Sequence, residues 1–343
     1  SFFTLFHATF LHFTRLIKNI NQLIMKKVNI TSLIICLTFS LLLFNCKNDD
    51  DNSGTINADT YLSLDGLVQA LKPNTQSFTI DPTTNETVTG ADGTIISINA
   101  NAFTDDNNNL IVTPITVKLR EHLTLEDMIL ANAQTSSNNQ ILVTGGSFNL
   151  TFEDDNGSSV NVNPWSIQSQ IPVQTDITGY ENGMQYYIGE SSIVDGREMV
   201  DWELGTNTEA WLDSGIFNIF GLEQGLANCD VLYDMAGDIP TQFEVSVSDV
   251  TDYTGTTVWM VIEDFPSVIM ITSLNDTMTA LTTYNNSIPT GLNATLIAIS
   301  VDADNYLKFG SLPITVLGND VFNVDVDYGT TEELTTLIQN ITN

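Results

Sequence analysis

Apolar and polar residues alternate with a period of two along several short stretches of this chain, and this pattern limits the fold more than any other feature. One stretch places Ile115, Val117 and Leu119 at alternate positions with polar residues between them. The same alternation recurs from Phe148 to Phe152 and from Phe243 to Val247. A period of two puts one set of side chains on a buried face and the other in water. We therefore predict a body built of antiparallel strands.

Turn signals and one apolar stretch refine this prediction. Asp92-Gly93 and Asn156-Gly157 can supply the positive φ angles that tight hairpins require. The stretch from Thr256 to Ile262 is apolar on both of its faces. This favours a central strand that is covered on both sides.

The same patterns divide the chain into modules. No rhythm of strand, helix and strand appears, so doubly wound folds are excluded. Strand patterning lapses near residues 204–214. We predict an all-β fold of two antiparallel β-sandwich modules with short helices. The first module spans residues 70–204 and the second spans residues 210–343.

Two helices are expected, one over residues 125–133 and one at the end of the sequence. Thr330 and Glu333 have the spacing of a capping box for the second helix. Leu334 and Ile338 then lie on one apolar stripe. Such a stripe either packs on a sheet as a closing helix or docks on a partner protein, and both interpretations stay open at this stage.

The first 45 residues have the pattern of a targeting segment. Met25 is followed by two lysines and then by a mostly apolar run of 15 residues from Ile30 to Phe44. This length suits a signal peptide, whereas a membrane span needs about 20 residues. We interpret residues 25–45 as a signal peptide and residues 1–24 as translated upstream sequence. One longer membrane-anchoring segment is the alternative.

The end of this segment resembles a bacterial lipoprotein signal, with a leucine three residues before Cys46. The resemblance implies that Cys46 is acylated and becomes the mature N-terminus, with two or more acyl chains giving stable membrane anchoring. A short charged stretch follows, formed by Lys47, Asp49, Asp50 and Asp51. It is similar to the surface-export signal of Bacteroidetes lipoproteins, which implies display on the outer face of the outer membrane. Residues 46–69 are then a lipidated, flexible tether.

The charge of the chain argues against one class of partner. The sequence has 42 Asp and Glu against 10 Lys and Arg, a formal net charge of −32. A protein this acidic repels phosphate backbones, so binding of nucleic acid through a basic surface is excluded. The hydrophobic fraction of 42% supports packed cores and argues against wholesale disorder.

Two segments resemble a known family. The stretch from Gly93 to Leu119 is similar to a ZU5-type β-sandwich module that recurs in Bacteroidetes, with Asn99 where proline is usual. The stretch from Gly225 to Asp230 is similar to a Gly-Trp-x-Asn-x-Asp motif of these lipoproteins, with Leu226 in place of tryptophan. The resemblance implies a sandwich fold and a surface location, and it implies no established activity.

Catalytic residue types are scarce after Cys46. His122 is the one histidine there and has no nucleophile motif beside it, so we interpret it as a surface or turn-side residue. Cys229 stands beside Asp230, whose charge raises a thiol pKa, so we interpret it as a buried, unreactive cysteine. A glycan hydrolase needs two carboxylates, and the sequence marks out no pair. We predict no enzymatic activity and no cofactor.

Three loops rich in Asp and Asn, at residues 105–107, 153–156 and 302–305, carry the oxygen ligands that calcium prefers. None has the EF-hand pattern. Asp and Asn also favour turns because their side chains bond to nearby backbone. We therefore interpret the loops as turns and predict no metal site.

Aromatic residues near the module junction offer candidate contacts. Trp202 and Trp211 either fill a core or form an exposed stacking surface. We predict a non-catalytic binding or structural-interaction module at the outer membrane. Its partner is an outer-membrane protein, and its candidate contact residues are Trp202, Trp211, Leu334 and Ile338. An adhesin or glycan-binding display protein, with or without calcium, is the alternative, and a carboxylate-based glycan hydrolase is the third hypothesis.

Overall fold

The computed structural model describes residues 56–194, 197–206 and 208–343. The signal peptide, the lipid attachment residue Cys46 and the proposed export signal at Lys47, Asp49, Asp50 and Asp51 lie outside these ranges, so those predictions stay predictions. The described part is dominated by antiparallel sheets, which confirms the predicted all-β class.

The first sandwich is built from strands that lie between residues 76 and 232. They are β1 (Gln76–Ile80), β2 (Glu86–Thr89), β3 (Ile95–Ile98), β4 (Phe103–Thr104), β5 (Ile115–His122), β6 (Ser136–Ser137), β7 (Gln140–Glu153), β8 (Asn161–Val162), β9 (Ile167–Pro172), β10 (Gln185–Val194), β11 (Arg197–Leu204), β12 (Glu209–Asp213), β13 (Ile216–Phe220) and β14 (Gly225–Leu232).

These strands form two main sheets with a common core. Sheet A has the order β1-β5-β7-β14-β10-β11, with β6 paired to β7, and sheet B has the order β12-β13-β9-β3-β2. Strands β4 and β8 form a separate short pair. Val117 and Phe148 of sheet A and Ile96, Ile167 and Phe217 of sheet B are buried in one cluster. The alternation of the sequence therefore places one face of each sheet in this core and the other face outside it.

The second sandwich follows the first. Its strands are β15 (Pro240–Thr241), β16 (Glu244–Val247), β17 (Thr256–Ile262), β18 (Ser267–Ile271), β19 (Ser273–Leu274), β20 (Leu281–Thr282), β21 (Ile288–Pro289), β22 (Asn293–Val301), β23 (Leu307–Thr315), β24 (Val321–Val324) and β25 (Asp327–Tyr328). Sheet C has the order β19-β20-β16-β24, sheet D has the order β18-β17-β22-β23-β25, and β15 pairs with β21.

Strand β17 lies inside sheet D and is buried along its whole length. Val258 and Met260 belong to the core that sheets C and D share, whereas Trp259 and Val261 belong to a second cluster on the opposite face of sheet D. The predicted central strand with two covered faces is confirmed.

Three helices cover that opposite face of sheet D in the described residues. They are α1 (Leu64–Leu71), α2 (Leu125–Ala131) and α3 (Thr331–Thr342). Leu67, Met128 and Ile338, one from each helix, are buried against Trp259 and Ile297. The two predicted helices are confirmed, including the capping box before α3. No helix in this part of the chain is long and apolar enough to cross a membrane.

Helix α1 shortens the predicted tether. Leu64 and Leu67 are buried, and the backbone of Asp59 is hydrogen-bonded to Leu307 and Gly329 of the second sandwich. The prediction of a flexible tether over residues 46–69 is therefore wrong from about residue 59 onward. The signal was present and was missed, since the apolar residues of α1 recur at the i, i+3, i+4 and i+7 spacing of an amphipathic helix, at Leu64, Leu67, Val68 and Leu71.

Strand β7 contributes to the cores of both sandwiches. Ile141 and Val143 lie in the core of the second sandwich, whereas Phe148 lies in the core of the first. Between Val143 and Phe148, the pairing of β7 with β14 contains a bulge. Two residues of β7 lie there opposite one residue of β14, Cys229. One of the two is Gly146, whose φ of 122° favours glycine. Residues 56–343 accordingly form one compact unit.

The predicted boundary between the modules is wrong. Strands β12 and β13 belong to sheet B, and β14 belongs to sheet A, so residues 209–232 are part of the first sandwich. The second sandwich begins at about residue 240. The pattern lapses near residue 204 because the chain passes there from sheet A to sheet B of the same sandwich.

Candidate functional site

The outer face of sheet B has solvent-exposed residues on both of its edge strands, β12 and β2. On β12, Ala210 and Leu212 pack against the core of the first sandwich, so Trp211 between them points outward. Its side chain is 49% exposed. Gln170 on β9 and Thr89 on β2 are also exposed. This face is therefore open to a ligand.

A row of side chains crosses this face from edge to edge. The strand register sets five residues side by side, in the order Trp211, Asn218, Gln170, Ile95 and Thr89. The Gln170 Nε2 group donates to the Asn218 Oδ1 atom at 3.1 Å. Amide groups that can both donate and accept thus lie beside an exposed indole.

A second tryptophan extends the aromatic surface. Trp165, 48% exposed, precedes β9, and its ring centroid lies 5.5 Å from that of Phe220 on β13, with an angle of 55° between the rings. Phe220 is two residues beyond Asn218, so it is the diagonal neighbour of Trp211. Trp165, Phe220 and Trp211 form an aromatic strip at one side of the face.

A second row of side chains crosses the same face through Phe220, and its other members are polar. In register with Phe220 lie Glu209, Gln168, Ser97 and Thr87. The strands of sheet B carry carboxylates, including exposed Glu209 and Asp213, and no Lys, Arg or His. The face combines aromatic, amide, hydroxyl and carboxylate groups, and nothing in it attracts an anion.

Of the predicted contact residues, only Trp211 lies on this face. Trp202 is fully buried on the outer side of sheet A, where its Nε1 group donates to the Gln134 carbonyl oxygen at 2.5 Å. Leu334 and Ile338 are fully buried against sheet D. The prediction that these three contact a partner is wrong, because residues 131–134 and sheet D cover them. The alternative of a closing helix is confirmed.

His122 is also buried, so the prediction of a surface histidine is wrong. Its Nδ1 atom lies 3.3 Å from Ser147 Oγ, and its Nε2 atom has no hydrogen-bond partner among the described residues. Burial, aided by the charges of Arg120 and Lys72, lowers its pKa to about 3. The ring is neutral at ordinary pH and out of reach of a substrate.

In the segment from Gly225 to Asp230, the side chains that carry polar or reactive groups are all buried. Burial raises the pKa of the Cys229 thiol well above its usual value, which agrees with the predicted unreactive cysteine. Asn228 and Asp230 flank Cys229 in the chain and are likewise buried. The Asn228 Nδ2 group donates to Asp230 Oδ2 at 2.5 Å. Burial also raises the Asp230 pKa well above its usual value. The polar and thiol groups of this motif lie inside the fold and offer no accessible ligand site.

The Asp-rich loops form turns. In each, one Asp carboxylate accepts the backbone N–H four residues on, with Asn109 bonding to Asp105 at 2.8 Å, Ser158 to Asp154 at 2.8 Å and Tyr306 to Asp302 at 3.0 Å. Hydrogen bonds from Asn109 lower the pKa of Asp105. Across the described ranges, no group of three or more His, Cys, Asp or Glu side chains could hold a metal ion.

One groove in the second sandwich also carries carboxylates. It has a volume of about 380 Å³ and is lined in part by Asp249, Asp252, Asp302 and Lys308. Asp302 is already engaged, because its Oδ2 atom accepts the Tyr328 hydroxyl at 3.1 Å. The outer face of sheet B is therefore the better candidate site.

Comparison with known proteins adds no family. No protein-family model matches the chain, and no curated protein matches its sequence. The fold and the open face define an all-β protein with a solvent-facing sheet, and the resemblance to ZU5-type modules stays a prediction.

Proposed function

We propose that this chain is a non-catalytic binding protein, anchored to the outer membrane through lipid on Cys46 and displayed at the cell surface. The sequence pattern around Cys46 supports the anchor and the display. The outer face of sheet B carries the binding role, because Trp211 and Trp165 are both exposed on it and exposed apolar side chains grouped on one face mark interaction sites.

The point where the chain enters the folded unit supports this arrangement. The Thr331 backbone N–H donates to the Asp59 carboxylate at 2.7 Å, and the Leu307 N–H donates to the Asp59 carbonyl oxygen at 2.8 Å. Asp59 is therefore fixed to the second sandwich, whereas sheet B belongs to the first. A tether that ends at Asp59 is therefore joined to the second sandwich and not to sheet B.

Cysteine labelling on intact cells tests display and exposure together. In a Trp211→Cys variant, a membrane-impermeant maleimide should modify the new thiol on whole cells. The unaltered protein is the matched control, because its Cys229 is buried. Modification that appears only after lysis would contradict surface display.

Lipid labelling tests the anchor. The unaltered protein should incorporate a palmitate analogue, and a Cys46→Ser variant should incorporate none and should leave the membrane fraction. Equal incorporation by both proteins would contradict attachment at Cys46.

A further inference from the structure

We infer that the outer face of sheet B binds a neutral polysaccharide, whose chain lies across the strands along the row from Trp211 to Thr89. This inference rests on the proposed binding role of the face and adds the chemical class of the ligand.

The aromatic strip fits one side of a sugar ring. A pyranose presents C–H groups on its faces and hydroxyl groups around its rim, so an exposed indole can cover a face while the rim stays hydrated. Tryptophan suits this contact because it offers a large apolar surface at low conformational cost. Trp211 and Trp165 are both about half exposed on this side of sheet B, so each has an indole surface left to cover.

The two amide side chains of the row, Asn218 and Gln170, fit the rim of a sugar ring. Each sugar hydroxyl both donates and accepts a hydrogen bond, and Asn and Gln are neutral side chains that also do both. Asn218 and Gln170 lie next to each other and next to Trp211. Their mutual hydrogen bond of 3.1 Å orients the two amides, which lowers the entropic cost of binding. Gln168, Ser97 and Thr87 in the second row add further groups of this kind.

The shape of the face fits a linear ligand. Neighbouring strands lie about 4.8 Å apart, so the row from β12 to β2 spans about 19 Å. Such a row is longer than a single sugar ring, and it reaches from one edge strand of sheet B, β12, to the other, β2. It therefore offers contacts to several successive sugar units of a linear polymer.

Charge argues against an anionic polymer. Glu209 and Asp213 flank Trp211 on β12, and the whole sequence carries a net charge of −32. Both repel anionic glycans and phosphate. A protein partner fits less well, because the middle of a protein interface is usually apolar, whereas Gln170 and Gln168 occupy the middle strand here.

The test is affinity electrophoresis of the detergent-solubilised full-length protein in gels that contain one polysaccharide each. Neutral β-1,4-glucan, β-1,3-glucan, xylan, mannan and starch form the panel, with alginate as the anionic control. We expect retardation by at least one neutral polymer and none by alginate. Retardation by alginate alone, or by no polymer, would overturn the inference.

Single substitutions test which residues contact the polysaccharide. Trp211→Ala and Gln170→Ala should each weaken retardation about tenfold or more, as the loss of a central contact does. Trp211→Phe should retain part of the binding, because a smaller ring still stacks. The matched control is Leu317→Ala, since Leu317 is 76% exposed on the second sandwich. Gln170→Ala keeps the test valid if Trp211→Ala fails to fold.

The outcomes separate this inference from the proposed function. If Trp211→Cys is labelled on intact cells but no polysaccharide retards the protein, the binding protein stands and the ligand class is wrong. If polysaccharide binding survives both Trp211→Ala and Gln170→Ala, the site is wrong. If a membrane protein co-purifies in equal amount and is lost with Trp211→Ala, the face binds a protein and the inference is overturned.

Discussion

The Glu121 carboxylate accepts a hydrogen bond from the backbone N–H of Thr94 at 2.8 Å, across 27 positions of the chain. Glu121 lies at the end of β5 in sheet A, and Thr94 closes the hairpin turn between β2 and β3 in sheet B. The same carboxylate accepts the Asp92 N–H at 3.0 Å and the Gln76 Nε2 group at 2.8 Å. One buried side chain therefore fastens an edge of the candidate face to the other sheet.

Loss of this carboxylate should destabilise the first sandwich. We expect Glu121→Gln to lower the free energy of unfolding by about 2 kcal/mol, because a carboxamide has one acceptor oxygen for three donors. Chemical denaturation measures the change. Glu209→Gln, on an exposed position of β12, should change it by less than about 0.5 kcal/mol. Equal effects of the two substitutions would show that Glu121 does not fasten the sheets.

His122 should make the protein less stable as the pH falls. Its pKa is about 3 in the folded chain against 6.5 for the free side chain, so the unfolded chain takes up a proton that the folded chain refuses. Stability is then lost below pH 6.5 at about 1.4 kcal/mol per pH unit, or about 2 kcal/mol by pH 5. Because Asp230 acts in the opposite direction over the same range, the test is a comparison: relative to His122→Gln, the unaltered protein should lose this amount between pH 6.5 and pH 5 in urea denaturation. Parallel curves would count against a neutral buried ring.

Asp230 should have the opposite effect on the pH dependence. Burial raises its pKa well above 3.8 in the folded chain, so the unfolded chain releases a proton that the folded chain keeps. Stability therefore falls as the pH rises above about 4, until the folded pKa is reached. Asp230→Asn cannot titrate and can still accept the Asn228 hydrogen bond. Relative to the unaltered protein, its free energy of unfolding should increase from pH 5 to pH 7, and a constant difference would refute the prediction.

Helix α3 should be needed for folding rather than for docking. Ile338→Ala removes a fully buried side chain from the contact with sheet D and should cost about 3 kcal/mol. Ile341→Ala, on the same helix but only partly buried, should cost about 1 kcal/mol or less. Thermal denaturation followed by circular dichroism compares the two. A negligible cost at Ile338 would restore the docking hypothesis.

Local patterns in the sequence were sufficient to predict the all-β class, the covered strand β17 and the capping box at Thr330. Each depends on residues that are close together in the chain. The boundary prediction failed for the opposite reason. Strand β13 pairs with β9 and strand β14 pairs with β7, which begins 85 residues earlier in the chain (225 − 140). Nothing local to residues 204–214 therefore shows which sandwich they join.

For the candidate face, too, the sequence predicts the local features and not those that depend on distant parts of the chain. Trp202 and Trp211 both lie in alternating stretches, and the pattern says that one side of each strand is outward. It does not say whether the outward side is then covered, as residues 131–134 cover Trp202. Gln170 and Asn218 appear in the sequence as ordinary outward polar residues of two strands. Only the register of sheet B sets them beside Trp211.

The sharing of β7 between two cores has a mechanical consequence. A pull on a ligand held at sheet B loads the first sandwich, and β7 passes that load directly into the second sandwich, where Asp59 connects to the N-terminal segment. The hydrogen-bonded ladders that β7 forms with β5 and β14 carry the force together, so we expect the two sandwiches to resist tension as one body.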